Sequence, residues 1–464
     1  AYYGVVRALK EFPERRHGLG MITTYTFRGL NDSPLKDQFN RDAVVSALDG
    51  WHFLDHNQVW VLSGWAGGSL VHGTTAEITS MQTNSRHYFQ RPDAHSFSVD
   101  SSATALGGYG ARVWLNKEKG NWFSNSAIGV LSPGLEVNDL GFEAHADWIN
   151  GHAGLGHKWT EPTKHVKNHQ VLGAVFASSD FDGNLTNTGV WSRAFWWFTN
   201  NWTLNPSVSY NPETVNPRRA RGGPLMLNKP GLELYVSGDT DGSRKRYYSI
   251  NYDQYVQPEE NSFSYSVNPF FTYKPRANLR FDLGPGYSVS RDGAFYVDAV
   301  DDPSAAATYG KRYVFARLDQ QTFSINLRLN VSFTPYVSLQ FFGQPLIASG
   351  RYSDYRELAR PKSLDFIGQG AGPWTYDSAT RIYDPDGAGP TDGYVNDFNS
   401  KSLRGNAVFR WEYRPGSAFY LVWTQQRSDD QEIPDFNFGT SLHRLFTADA
   451  SNIFLAKVTY YLGL

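Results

Sequence analysis

From Thr322 to Phe333 the chain alternates without a break. Phe323, Ile325, Leu327, Leu329, Val331 and Phe333 take one set of positions, and Thr322, Ser324, Asn326, Arg328, Asn330 and Ser332 take the other. Successive side chains of an extended chain point to opposite faces, so this pattern predicts a strand with one apolar and one polar face. Leu279, Phe281, Leu283, Pro285, Tyr287 and Val289 alternate with Arg280, Asp282, Gly284, Gly286 and Ser288. Leu403, Gly405, Ala407, Phe409, Trp411 and Tyr413 do the same against Arg404, Asn406, Val408, Arg410 and Glu412. Phe263, Tyr265, Val267, Pro269, Phe271 and Tyr273 form another row, with Phe270 the exception on its polar side. Phe454, Ala456, Val458, Tyr460, Leu462 and Leu464 carry the pattern to the last residue.

Such strands fit a soluble sandwich, apolar face inward, or a membrane barrel, apolar face to lipid and polar face to a lumen. Length separates the two. Sandwich strands run about five or six residues, whereas a tilted membrane strand needs roughly 9–11. The rows above have membrane length. Short turns are expected at 117–121, 199–201, 274–277, 334–336 and 414–417, with aromatic residues beside most of them. Long Gly/Pro/Asp-rich connections are expected near 211–230, 349–401 and 428–452. That asymmetry, with an aromatic girdle at the short-turn side, is what an all-β, antiparallel up-and-down transmembrane barrel over residues 1–464 requires, the long connections facing outward. Strict up–down alternation gives about 22 strands (range roughly 18–26), both termini falling on the short-turn, periplasmic side. One short helix is expected within 75–85.

Composition agrees. Hydrophobic residues make up 40% of the chain and aromatic ones 15%, with 27 Tyr, 30 Phe and 14 Trp, a mixture suited to a lipid band with ring-bearing rims. There is no Cys, which removes disulfide, thiolate-metal and thiol-nucleophile chemistry. No apolar run reaches about 18 residues, so helical spans are not expected. A net charge of −2 offers nucleic acid no basic field. Residues 1–5 already read as a strand, so the chain is expected to be a mature or trimmed product.

Several stretches resemble the outer-membrane barrels of the family DUF5916. They are Arg86-His87-Tyr88-Phe89-Gln90-Arg91-Pro92-Asp93-Ala94, Ser132-Pro133-Gly134-Leu135-Glu136-Val137-Asn138-Asp139-Leu140-Gly141-Phe142, Ala348-Ser349-Gly350-Arg351-Tyr352, Arg410-Trp411-Glu412-Tyr413-Arg414-Pro415-Gly416-Ser417 and Val422-Trp423-Thr424-Gln425. The resemblance runs from about Tyr2 to Leu464 and implies an outer-membrane location with little defined chemistry. Members of that family typically place a carbohydrate-binding family 9-like domain before the barrel, and residues 1–464 are expected to form the barrel without it. Ala1 aligns part-way into the family's barrel. The strand 2–9 is therefore expected either to pair with 453–463, or to leave a gap filled by an N-terminal segment or partner chain.

Candidate chemistry is sparse. Arg280, Asp282, Asn326, Arg328, Arg404, Arg410, Glu412 and Lys457 fall on polar faces, where they would line a lumen as a selectivity lining or a self-paired network. Asp384, Asp386 and Asp392, with Asn396 and Asp397 following, offer oxygen ligands for calcium, or form a plain Asx/Gly turn. His145, His152, His157, His165 and His169 invite a metal but match no zinc spacing, and unbroken strand geometry puts His145 and His152 on opposite faces. No nucleophile elbow, phosphate loop or metalloprotease helix is present, so an enzyme is not expected. The expected function is a porin-like conduit for solutes or polymers, gated by the connection 349–401. The alternatives are a plugged scaffold of a surface complex, with surface or periplasmic protein partners, and an outer-membrane hydrolase.

Overall fold

The computed structural model describes residues 1–13, 16–30, 33–368, 373–385, 387 and 393–462. The chain opens with β1 (Tyr2–Glu11), β2 (His17–Phe27), β3 (Asp42–Phe53) and β4 (Trp60–His72), followed by helix α1 (Thr75–Thr83). Then come β5 (Ala105–Lys117), β6 (Trp122–Leu131), β7 (Trp148–Trp159), β8 (Val166–Ser179), β9 (Leu185–Phe198) and β10 (Thr203–Asn211). A small hairpin of β11 (Thr214–Asn216) and β12 (Met226–Asn228) interrupts the series. It resumes with β13 (Gly231–Asp239), β14 (Arg246–Gln257), β15 (Ser262–Arg276), β16 (Leu279–Asp301), β17 (Lys311–Thr334) and β18 (Val337–Leu358). Three short pieces follow, β19 (Phe366–Gly368), β20 (Thr375–Asp377) and β21 (Ile382–Asp384), and then β22 (Phe398–Arg414), β23 (Ser417–Gln431), helix α2 (Phe438–Thr447) and β24 (Ala450–Thr459).

All pairings are antiparallel. The main sheet has 20 strands; β19 is a three-residue piece on the edge of β18, and the other nineteen form one up-and-down meander. Among the described residues β1 pairs only with β2 and β24 only with β23, so these residues form an open sheet rather than a closed ring. Among the described residues the expected pairing of 2–9 with the last strand is absent. The last ladder runs from Ala450 to Thr459 because β23 begins at Ser417 and Ala418 lies opposite Thr459, leaving Tyr460–Leu462 without a ladder partner. Leu464 lies outside the described residues.

Nineteen meander strands fall within the expected range but are odd in number, which corrects the placement of the termini. Thr459 ends at the short-turn side, whereas Tyr2 starts at the side of the long connections. The expectation of about 22 spread the length over more strands. In the structure β16, β17 and β18 run 23, 24 and 22 residues, about twice a membrane span. Bulges mark the passage into their upper parts, between Asp292 and Phe295 and between Phe315 and Arg317. The connection expected at 349–401 accordingly shrinks to 359–397, since β18 continues to Leu358, and the one expected at 428–452 shrinks to 432–449. Turns stand at 118–121, 199–202, 277–278, 335–336 and 415–416, where the sequence indicates them, and α1 lies inside 75–85.

Register carries the alternation across the sheet. Val267, Tyr287, Phe323, Ile347 and Lys401 are successive cross-strand partners, as are Phe271, Leu283, Leu327, Gly343 and Gly405. At the other end of the meander Met21, Leu48, Ala66 and Ala111 lie in line. One face is thus almost wholly apolar. It is also uncovered over most of its extent: Leu48, Tyr109, Ile128, Leu155, Val175, Val190, Ile250 and Val458 are all exposed.

Candidate functional site: the capped polar face

The opposite face collects every strand residue singled out for a lumen. Asp282 lies across from Arg328, Gln344 from Arg404, and Tyr420 from both Arg410 and Lys457, all on the polar side. Some are self-paired. Asp282 is buried and accepts hydrogen bonds from Thr272 Oγ1 at 2.6 Å and Arg280 Nε at 2.9 Å, and Arg410 Nη2 donates to Glu412 at 2.6 Å. Asn326 accepts from Gln344 at 3.3 Å, and the Arg328 guanidinium stands over the Phe342 ring at 5.3 Å. Among the described residues no carboxylate lies within ion-pair distance of Arg328, Arg404 or Lys457. The face therefore combines a self-satisfied network with unpaired cations able to attract anions.

Long connections fold over this face at one end. Ala43, Val71 and Leu106 project from it and bury Ile78 and Met81 of α1, which starts where the Thr74 side chain accepts from the backbone N–H of Glu77. Segment 132–141 lies against the same strands. Ser132 Oγ accepts from the backbone N–H of Tyr109, and Ser69 Oγ accepts from that of Glu136. The approach is so close that a side chain on Gly108 would collide with the backbone of Leu135. The segment 212–230 closes over β14–β17, where Leu225 and Met226 are fully buried and the Arg219 guanidinium pairs with Glu260.

Two charged centres hold these layers together. Glu136 is buried and receives Arg86 Nε at 3.0 Å, His87 Nε2 at 3.3 Å and the backbone and side-chain N–H groups of Asn138 at 2.8 and 2.7 Å. Burial alone would lift its carboxyl, but the hydrogen bonds from His87 and Asn138 and the charge of Arg86 bring it down to about 2. A depressed folded value stabilises the native state above the ordinary carboxylate range, and that gain is lost as pH falls toward about 2. We expect protease protection of 132–141 to decay between about pH 4.5 and 2 by roughly 3 kcal/mol, with Glu136→Gln removing most of that pH dependence. Identical pH profiles for the two proteins would refute the assignment.

The second centre is Arg91, whose side chain is buried. Its guanidinium faces Asp93 at 3.3 Å, Asp147 at 3.9 Å, Asp180 at 3.1 Å and Asp182 at 2.9 Å, and stacks over Phe97 at 5.3 Å. Asp93 also accepts from the backbone N–H of Leu225, and Asp182 from those of His95 and Ser96. One cation thus ties together four separate connections. Beside it lies a cleft of about 270 Å³ lined by Tyr88, Phe97, His145, Trp148, Asn187 and Arg218. Burial lifts the Asp147 carboxyl and, with Arg218 nearby, lowers His145. Rings, amides and charges of both signs equip this cleft to hydrogen-bond a polar solute. Sequence reading missed it, because its residues come from connections and strand ends as far apart as Tyr88 and Arg218 and share no period.

The histidines do not converge. His145 stands in a connection against Trp148, His152 hydrogen-bonds Asn125, and His169 stacks on Trp159. Among the described residues no group of three His, Cys, Asp or Glu is arranged to hold a metal ion. Of the carboxylates expected to bind calcium, Asp386 and Asp392 lie outside the described residues. Asp384 is buried and accepts from the backbone N–H of Gly387 at 2.8 Å. Asn396 donates to Tyr355, and Asp397 accepts from Arg381 and the backbone N–H of Tyr352.

A comparison with curated proteins returned no match. The family model described as "Domain of unknown function (DUF5916)" matches residues 35–464, from the connection before β3 through the last strand. That match covers more than nine-tenths of the chain, including the capped polar face and the uncovered apolar one, and the chain belongs to the DUF5916 family.

Proposed function

We propose that this protein is an outer-membrane β-barrel that conducts polar solutes, its apolar face in lipid, its polar face lining a lumen and its long connections forming a cap over the lumen's outer end. One observation carries the reading: the apolar face stays uncovered and is edged by a row of rings at each end. Trp60, Trp122, Trp159, Tyr273, Phe333 and Trp411 stand toward the short turns, and Tyr25, Tyr109, Tyr210, Tyr265 and Tyr287 toward the long connections. Between Tyr265 and Tyr273 the strand rises about 26 Å along its own length, and a tilt of about 40° brings the ring-to-ring height to about 20 Å, somewhat under the roughly 25 Å apolar band of an outer-membrane barrel, so that both rings fall at its borders. A soluble protein rarely leaves more than a few hundred Å² of contiguous apolar surface open. In lipid this face costs nothing and no covering layer is required.

The reading requires that the edges of β1 and β24 be paired, with each other or with strands of another segment, because unpaired backbone groups in hydrocarbon cost several kcal/mol each. Unpaired Arg328, Arg404 and Lys457 favour anionic or strongly polar solutes. A second reading, a plugged scaffold, draws on the cap itself, since α1 and 132–141 are packed firmly onto the polar face. Purified protein in planar bilayers distinguishes the two. Stepwise ion conductance with anion preference is expected of a conduit; membrane-inserted but silent protein would replace it with the scaffold.

A further inference from the structure

The connection between β23 and β24 departs from those that cap the polar face, because it crosses the apolar one. Phe436 lies against Tyr287, with ring centroids 6.2 Å apart, and Phe438 meets Phe323 edge-on at 4.9 Å. Both partners belong to the apolar face. From the same face Arg427 Nη1 donates at 2.7 Å to the carbonyls of Phe446 and Ala448, satisfying acceptors at the end of α2. Arg444 grips Asp429 through Nε at 2.9 Å and Nη2 at 2.7 Å.

Beneath this segment the apolar face changes character. Arg291, Asp319, Arg351, Lys401 and Arg427 replace the aliphatic and aromatic residues found lower on the same strands, so the helix straddles the upper border of the apolar band. Lys401 is fully buried there, its Nζ donating to Asp429 at 2.8 Å, Gln431 at 2.9 Å and the carbonyl of Asn399 at 3.1 Å. An ion pair on an outer barrel face is costly if left against hydrocarbon, and α2 covers it. The helix itself is two-sided. Phe438, Leu442, Leu445 and Phe446 share one stripe by their i, i+4, i+7, i+8 spacing, while Thr440 and Thr447 fall opposite. Leu445 is buried on the sheet, yet Phe438 is 43% exposed, Phe446 54% and Ile433 44%, and no protein segment among the described residues covers them.

We infer that α2 is an interfacial helix that lies on the bilayer surface. Phe438, Phe446 and Ile433 enter the acyl-chain boundary as a continuation of the apolar band, and Thr440 and Thr447 face headgroups and water. The inference rests on the membrane reading above, and its occupant is the lipid surface rather than another protein. Amphipathic helices of this kind bury their apolar side about 5–10 Å into the headgroup boundary. The position matters chemically because it shields the Lys401–Asp429–Arg444 network from lipid.

A cysteine-free chain makes the test clean. Phe446→Cys and Thr440→Cys carry a nitroxide label on different faces of α2, about 120° apart at 3.6 residues per turn, and Ile128→Cys, 65% exposed on the apolar face far from the helix, reports insertion independently. Full-length protein in phosphatidylcholine vesicles is probed by collision with oxygen and with a water-soluble nickel chelate. The expected result is oxygen-dominated relaxation at 128 and 446 and nickel-dominated relaxation at 440, the oxygen-to-nickel ratio at 446 exceeding that at 440 severalfold. Nickel-dominated relaxation at 446 with oxygen dominance at 128 would overturn the interfacial helix and leave the barrel reading standing. Nickel dominance at 128 would overturn the barrel reading and the helix with it.

Discussion

Arg91→Ala is expected to release the cap while leaving the sheet intact. The substitution leaves Asp93, Asp147, Asp180 and Asp182 facing one another in a site that excludes water, with no other cation among the described residues in ion-pair contact with them. Removing one partner of a buried ion network costs about 3–5 kcal/mol, because the charge left behind is uncompensated. The loss should stay local, since the network joins connections to one another and not strand to strand. Hydrogen exchange or limited proteolysis should therefore show 84–104 and 180–184 opening, with protection of β5–β9 retained. Arg91→Lys should recover only part of the loss, because a point charge on a flexible stem does not span four carboxylates as a planar guanidinium does. The uncompensated carboxylates can protonate, so the defect should shrink as pH is lowered toward 4. Unchanged protection of 84–104 in Arg91→Ala would show that the network does not hold the cap.

Leu327→Arg should destabilise the membrane-inserted protein by about 2–4 kcal/mol, while Asn326→Arg, one residue away, should cost well under 1 kcal/mol. Leu327 sits mid-row on the apolar face, flanked in register by Leu283 and Gly343. Asn326 sits on the polar face, where its amide oxygen already accepts from Gln344 and where an added cation joins Arg328 and Arg404. Equilibrium unfolding from phospholipid vesicles measures both. A similar small cost at the two positions would remove the argument that the apolar face meets hydrocarbon.

Much of the sheet was legible because a strand writes its two environments into alternate residues. Wherever one face meets apolar surroundings and the other polar ones, as from Leu279 to Val289 or from Thr322 to Phe333, the period of two is visible without coordinates. The upper parts of β16, β17 and β18 were not legible for the same reason. Tyr313, Val314, Phe315 and Ala316 are consecutive and all buried, with 212–230 packed on Tyr313 and Phe315 and the β20–β21 hairpin on Val314 and Ala316, so no alternation survives. Their extension shortened the connections and altered the strand count. The helix α1 lies inside the stretch marked as helical, and its N-terminal cap, Thr74 accepting from the N–H of Glu77, is a local contact. The aspartates around Arg91 were not legible, since they come from three separate connections, 73–104, 132–147 and 180–184, and share no period.

By itself, then, the sequence determined the antiparallel meander, the side of each polar and apolar row, the positions of the short turns and the shared face of Arg280, Asp282, Asn326, Arg328, Arg404, Arg410, Glu412 and Lys457. These follow from local periodicity and turn chemistry. Only the tertiary structure decided which of those charges pair, that α1 and 132–141 fold onto the polar face, and that α2 crosses to the apolar one. Such choices depend on contacts between residues far apart in the chain, where burial sets the cost of each unpaired charge and no repeating pattern records the partner.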